Sequence, residues 1–568
     1  MGSGKKKRKL KKGIVKKMIV VILFILCLVM LGIIVKLIFF DKVKMYDKYI
    51  GSKDISVKLF DLEYNESTEI YRGVKVSVYD KEYKNNDILY KKIKYNDTDY
   101  YILDSNLVSE EKDTVMEKTL YVRTPITVYK DINKPDILGF LKKGSKIDIV
   151  GFDKLEKGVV HMYKIKYDDT FGYVYSKYLV DNLELANKVY DEAKTYAYHK
   201  DRKFSYELYG GYASELDYYP YEKASFKNNV MPNETKTLYL NASVLSNIDN
   251  YISLAKSSSI NAFVVDIYDG YLAYPSKVAE EYSPSAYASA RWTMEEYKNV
   301  IDKLLDNGFY VIGRIVAFNN PHFAKDNTSD AISYAGRATS WVSAYSRRAW
   351  EYNVKLAIEA ISEFKFNEIQ YDYVRFPESS YSWSKNSNYD FKNTYNESKG
   401  EAIQNFLFYA TDRIHETNTY ISADVFGEAA YAYVTAYGQY WPAISNIVDV
   451  ISAMPYPDHF NKYDFGIKVP VWTVPYDLMS SWSKYASERQ KEISTPAKVR
   501  TWIQAYDAIR EPYITYGANE VSAQIKALYE NELDNGFITW NAGSNITKYT
   551  KISDAFKKDY RWLNWKLY

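Results

Sequence analysis

A single cysteine among 568 residues, Cys27, leaves the chain without the means to form an internal disulfide. It lies inside an apolar run and does not follow the small residues of a lipoprotein cleavage site. Histidine is nearly as scarce. His161, His199, His322, His415 and His459 form no H-x-x-x-H or H-x-H pair, which argues against a zinc hydrolase or metal-dependent deacetylase and leaves no metal expected. No G-x-S-x-G elbow occurs, and no Gly-rich phosphate loop follows any strand, so no cofactor is expected either.

Apolar and aromatic residues, by contrast, are plentiful. The hydrophobic fraction of 47% is ample for globular cores, and the length calls for more than one domain. The 60 Tyr fit both the base composition of the coding DNA and stacking on sugars.

The run MIVVILFILCLVMLGIIVKLIFF, residues 18–40, is the strongest topological signal. As a helix it would span roughly 35 Å, enough for a bilayer core of roughly 30 Å with some tilt. Residues 1–17 carry nine basic side chains against four in 41–54, so this tail is expected in the cytoplasm and the C-terminal domains outside the cell membrane. The alternative is a cleaved signal peptide, but the run exceeds a typical signal core and no A-x-A-like site follows. Setting the tail's +9 against the total of +3 leaves −6 for the rest, which gives no general case for nucleic-acid binding.

An internal repeat follows. KIKYNDTDYYILDSNLV (92–108) and KIKYDDTFGYVYSKYLV (164–180) superpose without a gap at an offset of 72, which implies two copies of a small β module, residues 52–110 and 117–182. The second copy resembles the bacterial Src-homology-3-like domains found beside cell-wall enzymes. Wall or glycan binding and a plain spacer are both open. Residues 183–234 read as a helical and Tyr-rich connector without evident chemistry.

From about residue 235 to 560, short apolar strands alternate with helix-length segments, the pattern of a (β/α)8 TIM barrel. The expected strands are 236–242, 261–269, 310–318, 368–376, 420–427, 448–456, 498–506 and 536–544. An open doubly wound sheet is the runner-up. Within EIQYDYVRFPE (368–378), strand parity puts Glu368, Gln370 and Asp372 on one face and Ile369, Tyr371 and Tyr373 on the other. Polar groups then line an interior that should be apolar, and Pro377 puts Asp372 near the strand's outlet, where such barrels keep their chemistry.

Glycoside cleavage needs two carboxyl groups, one protonated and one ionised. Asp372 is the candidate nucleophile or base, with Arg375 nearby to hold its charge; the structural alternative is a buried ion pair with Arg375 or Arg314. Asp424 is the candidate acid, with Glu428 close behind. Asp266 is expected to hydrogen-bond substrate or to orient Arg314. Tyr456, His459, Trp502, Gln504, Trp540 and Asn541 at other strand ends could stack on pyranose faces and read hydroxyls, although a barrel Trp is more often packing than platform.

The segments NAFVVDIYDG, GRIVAFNNP, EIQYDYVRFPE, SADVFGEAA, ISAMPYPDHF, KVRTWIQAY and ITWNAGS occur in the order of the putative glycosyl hydrolase domain family of membrane-anchored bacterial proteins, which the chain resembles. The resemblance implies the same barrel and a hydrolase acting on a polysaccharide or peptidoglycan glycan. The chain departs from the family pattern at Tyr268, where Lys is usual, at Asn320, where an acid is usual, and at Ala453 and Asp458, where Pro and Ser are usual. A catalytically silent glycan-binding barrel and an envelope scaffold remain as alternatives, the scaffold requiring an exposed apolar patch.

The charge asymmetry around residues 18–40 predicts one membrane crossing with the N-terminus inside. Protease added to intact cells should digest the chain beyond residue 41. Protection there, in cells whose surface is demonstrably accessible, would reverse the assignment.

Overall fold

The computed structural model describes residues 4–39, 44–188 and 207–561; the ends of the expected tail and apolar helix at 1–3 and 40, and connector residues 189–206, lie outside it. The chain divides into two compact units, Met1–Leu120 with Asp148–Lys166 and Tyr175–Lys177, and Tyr121–Ile147 with Tyr167–Val174 and Tyr178–Tyr568.

In the first unit, one helix runs through Gly4–Phe39 and takes in both basic tail and apolar run. Its window Gly13–Ile33 is long and apolar enough to cross a membrane, and its side chains are not buried against protein. An antiparallel sheet follows, with strands in the order Glu66–Tyr71, Ser56–Phe60, Thr98–Leu103, Ile88–Tyr95, Lys75–Asn85, Met45–Ile50 and Leu107–Val108. Met45–Ile50, which precedes the expected module start at residue 52, pairs with Lys75–Asn85 in this sheet.

A second antiparallel sheet has its strands in the order Ile137–Leu141, Ile126–Tyr129, Thr170–Tyr175, Met162–Tyr167, Lys146–Phe152, Thr119–Val122 and Leu179–Val180. The strand that carries Lys-Ile-Lys-Tyr is fourth in each sheet. Its hairpin partner stands third in both, so the two repeat segments occupy equivalent places.

Within the second unit, a parallel sheet closes into a barrel. Its strands are β1 (Thr235–Leu240), β2 (Ala262–Tyr268), β3 (Tyr310–Val316), β4 (Glu368–Asp372), β5 (Tyr420–Phe426), β6 (Val450–Met454), β7 and β8 (Gly536–Trp540). Strand β7 comes in two pieces either side of Arg500: Lys498–Val499 pairs with β6 and Thr501–Gln504 with β8, so the ring closes through the split strand. All eight expected strands are present. Each is shorter than its sequence pattern, since the last residues of each apolar run leave the ladder for the mouth.

Alternation fixes what lies inside. Tyr239, Val264, Ile312, Val450, Trp502 and Ile538 share one interior cluster, while Tyr371 points outward and donates to the carbonyl of Asn353 on helix Arg347–Phe364. Near the floor, Glu368 accepts from Arg500 at 2.9 and 3.1 Å and from Tyr310 Oη at 3.0 Å, and both charged groups are at most 1% exposed. The described part of the connector closes this N-terminal end. Met231, Ala224 and Phe226 pack on the interior cluster, and Asn229 Nδ2 donates to the carbonyls of Asn367 and Asn418, which lead into β4 and β5.

Removing one member of a buried pair strands the other charge. Glu368→Ala should cost about 3–5 kcal/mol in urea unfolding of the detergent-solubilised chain, whereas Glu368→Leu combined with Arg500→Met should restore most of the loss. A single variant close to wild type would show that the pair carries little.

Candidate active site

Four consecutive strands bring their charged side chains to one place at the C-terminal mouth. Asp266 stands on β2, Arg314 on β3, Asp372 at the end of β4 and Asp424 on β5. The parallel register pairs Asp266 with Arg314, Val316 with Asp372 and Asp424 with Ser452. With side chains alternating in and out, all four point inward.

Arg314 is the centre. One amino group lies 2.7 Å from Asp266 and 3.0 Å from Asp269, the other lies 2.6 Å from Asp372, and Nε is 3.9 Å from Asp424 Oδ2. The guanidinium is 2% exposed, so each attraction acts through a poorly screening medium. Neither Arg314 Nε nor Asp424 Oδ2 has a hydrogen-bond partner. Tyr239 Oη donates to Asp266 at 2.6 Å, and Trp502 Nε1 donates to Asp424 Oδ1 at 2.8 Å. Asp372 also receives its neighbour's amide, Tyr373 N, at 2.6 Å. Tyr373 adopts a left-handed φ of 53°, which turns the chain sharply at the end of the strand.

One cation among four carboxyls cannot keep all of them ionised cheaply. Burial pushes the Asp424 carboxyl well above the usual carboxylate range and nearby Asp372 adds to this, against the pull of Arg314 and the Trp502 hydrogen bond. Burial likewise raises Asp266 to about 6, outweighing its contact with Arg314.

The expected sugar contacts divide. Tyr456 is 3% and Trp502 1% exposed, so neither offers an open stacking face, and Trp502 serves as a donor to Asp424. Trp540 is partly buried, packed against Tyr239 at 4.8 Å and stacked with Tyr456 at 6.3 Å between ring centroids. The His459 side chain is 52% exposed at the rim. Gln504 and Asn541 point at the protein itself: Gln504 accepts from Asp458 N and donates to the carbonyl of Tyr506, and Asn541 donates to the carbonyl of Ala505. Glu428 is held by the hydroxyls of Tyr433 and Tyr437, both at 2.8 Å.

Arg314, and not Arg375, is the arginine hydrogen-bonded to Asp372. Arg375 lies beyond the left-handed turn at Tyr373, bonds Glu378 at 3.0 Å and sits 4.2 Å from the ring centre of Phe426. Asp269 and Tyr239 were not anticipated. The ladder between β2 and β3 shifts register between Asp266 and Tyr268, so parity counted along DIYDG gives no bearing on Asp269. Two departures from the family pattern meet in space. Tyr268 Oη donates to Asn320 Oδ1 at 2.7 Å, a neutral pair where the pattern would place a Lys and an acid. A cavity of about 360 Å³ lies elsewhere, lined among others by Arg123, Phe140, Lys142, Tyr218 and Glu401, and none of the expected site residues borders it.

The fold and its mouth thus define a (β/α)8 barrel with an arginine-centred cluster of carboxyl groups where such barrels carry their chemistry. Residues 237–546, more than half of the chain, match the family described as "Putative glycosyl hydrolase domain", and the chain belongs to that family. No curated protein matches it. Among solved structures, a hypothetical protein from Ruminiclostridium thermocellum ATCC 27405 is 29% identical over 33% of this chain and 97% of its own, with a TM-score of 0.28. The chitobiase of Flavobacterium johnsoniae is 11% identical over 57% of this chain and 48% of its own, with a TM-score of 0.38. The spore cortex-lytic enzyme SleL of Bacillus megaterium QM B1551 is 11% identical over 58% and 76%, with a TM-score of 0.34.

Because Asp266 is raised from 3.8 to about 6, the folded chain keeps a proton that the unfolded chain releases as pH rises between those values. Its contribution to stability should therefore be greatest below about pH 4, decline up to about pH 6 and stay level above. Urea midpoints of wild type and Asp266→Asn, measured from pH 4 to 7.5, should show the wild type losing ground to the variant across that window. A constant difference would mean that Asp266 is not shifted.

Proposed function

We propose that the chain is a membrane-anchored, extracytoplasmic glycoside hydrolase that cuts a cell-wall or extracellular polysaccharide with a pair of aspartates. The observation that carries this reading is the sharing of one buried guanidinium by Asp372 and Asp424 on neighbouring strands at the barrel mouth. Asp372, bonded to Arg314 and to Tyr373 N, supplies the carboxylate that attacks the anomeric carbon or activates water. Asp424, its proton retained by burial, supplies the acid for the leaving oxygen. Asp266 and Asp269 hold Arg314 from the other side, so the guanidinium cannot swing away from Asp372. Glu428, tied to two tyrosines, is the weaker choice for the acid. Membership of the glycosyl hydrolase family supports the reaction class.

The apolar window Gly13–Ile33 supports the anchor, and the basic tail before it supports an inside N-terminus. The paired β modules, one of which resembles Src-homology-3-like domains, serve as wall-binding or spacer units in this reading. One observation favours a second account: Asp424 is 0% exposed, so a sugar must open the mouth around Trp502 before it can take the proton. A silent glycan-binding barrel needs no such movement.

Asp372→Asn decides between them. It preserves shape, removes the charge, and should abolish release of new reducing ends from a panel of purified wall glycans while leaving much of the glycan affinity. Near-normal turnover in that variant would remove Asp372 from the chemistry, and an inert but glycan-binding wild type would favour the silent barrel.

A further inference from the structure

The loops after β3 and β4 build a small structure that the cleavage pair does not use. After β3 the chain forms helix Pro321–Asp326 and a hairpin, Ala331–Tyr334 and Arg337–Val342, turning through Ala335 and Gly336, both with positive φ of 46° and 78°. The long loop after β4 returns to add a third strand, Tyr389–Asp390, beside Ala331–Tyr334. This sheet is anchored to the barrel's outlet. Val342 N donates to the carbonyl of Phe318 at 3.0 Å, and Ser343 Oγ donates to that of Phe391 at 2.5 Å.

Aromatic rings mark both ends of it. At the end near the mouth, Trp341 is partly exposed, 6.0 Å from the ring of Tyr373 and 5.2 Å from the Arg375 guanidinium. Tyr373 is the residue whose amide holds Asp372. Towards the hairpin tip, Tyr334 and Tyr389 are register partners with ring centroids 4.8 Å apart, and Trp383 stacks on Tyr389 at 4.4 Å and 10°. Tyr334 is 44% exposed, although such a ring gains more from a partner than from water. None of these rings belongs to the barrel's interior cluster of Tyr239, Val264, Ile312, Val450, Trp502 and Ile538.

We infer that this three-stranded sheet is a glycan platform that lengthens the cleft beyond Asp372, so that the barrel grips a linear polysaccharide along several sugar units, with Trp341 nearest the cut and Tyr334 farthest from it. The inference rests on the glycoside hydrolase reading and deepens it from a sugar to a polymer. Flat rings backed by other rings offer apolar faces to the C–H side of a pyranose, while Arg337, exposed beside Tyr334, and the hydroxyls of Tyr334 and Tyr389 can meet sugar oxygens. Continuity through Tyr373 is what makes the platform part of the site.

The test is co-sedimentation of the full chain in detergent with insoluble chitin, cellulose, curdlan and purified peptidoglycan sacculi, using the Asp372→Asn background so that nothing is consumed. Retention on at least one polymer is expected, weakened on the order of tenfold by Trp341→Ala and again by Tyr334→Ala, and largely recovered in Trp341→Phe, which keeps a ring and so separates stacking from misfolding. Retention unchanged in both alanine variants, or no retention on any of the four polymers, overturns the platform. Failure of the hydrolase reading looks different: ring-dependent retention persists, but the wild type releases no reducing ends.

Discussion

Everything at the barrel mouth depends on one guanidinium. A buried arginine is tolerable only among opposite charges, and Arg314 has four carboxyl groups around it, one from β4, one from β5 and two from the end of β2. A surplus of acid in a poorly hydrated interior raises the most enclosed members, Asp424 well above the usual carboxylate range and Asp266 to about 6. A carboxyl pushed up by burial and an arginine-paired one therefore stand on adjacent strands. The remainder of the mouth supports that arrangement, with Tyr239 on β1, beside β2, and Trp502 on β7 each contributing one hydrogen bond.

The barrel was legible because its determinants are local and periodic. Alternation in EIQYDYVRFPE placed Glu368, Gln370 and Asp372 inside from spacing alone, and all three are buried. The same parity placed Asp424 and Asp266. What could not be read was which partner each side chain finds across the ring. Arg314 and Arg375 are equally plausible neighbours for Asp372 in one dimension. The register that sets Arg314 opposite Gln370, two residues before Asp372, is a property of the assembled sheet. Arg375 lies past a left-handed residue, where the strand's alternation has ended.

Other partners that parity did not foresee have the same origin in loops and irregularities. Gln504 and Asn541 stand at the expected strand ends, yet their amides are occupied by the backbone of neighbouring loops, which strand parity does not describe. Asp269 follows a shift in register, and Trp341 belongs to an accessory hairpin that no barrel pattern anticipates. The repeat, in contrast, showed itself as plain sequence identity, and its two Lys-Ile-Lys-Tyr strands stand fourth in their respective sheets.

The segment just before the barrel, which carries no chemistry of its own, redraws the limits of the domain. Met231 and Phe226 fill the end of the barrel interior, and Lys223 Nζ binds the carbonyls of Ser445 and Val448. The stretch recognisable by family descent starts at residue 237, but a protein cut there would have an open floor, with Tyr310, Tyr420 and Val450 facing water. The residues that fill the barrel's floor thus begin before the stretch that matches the family.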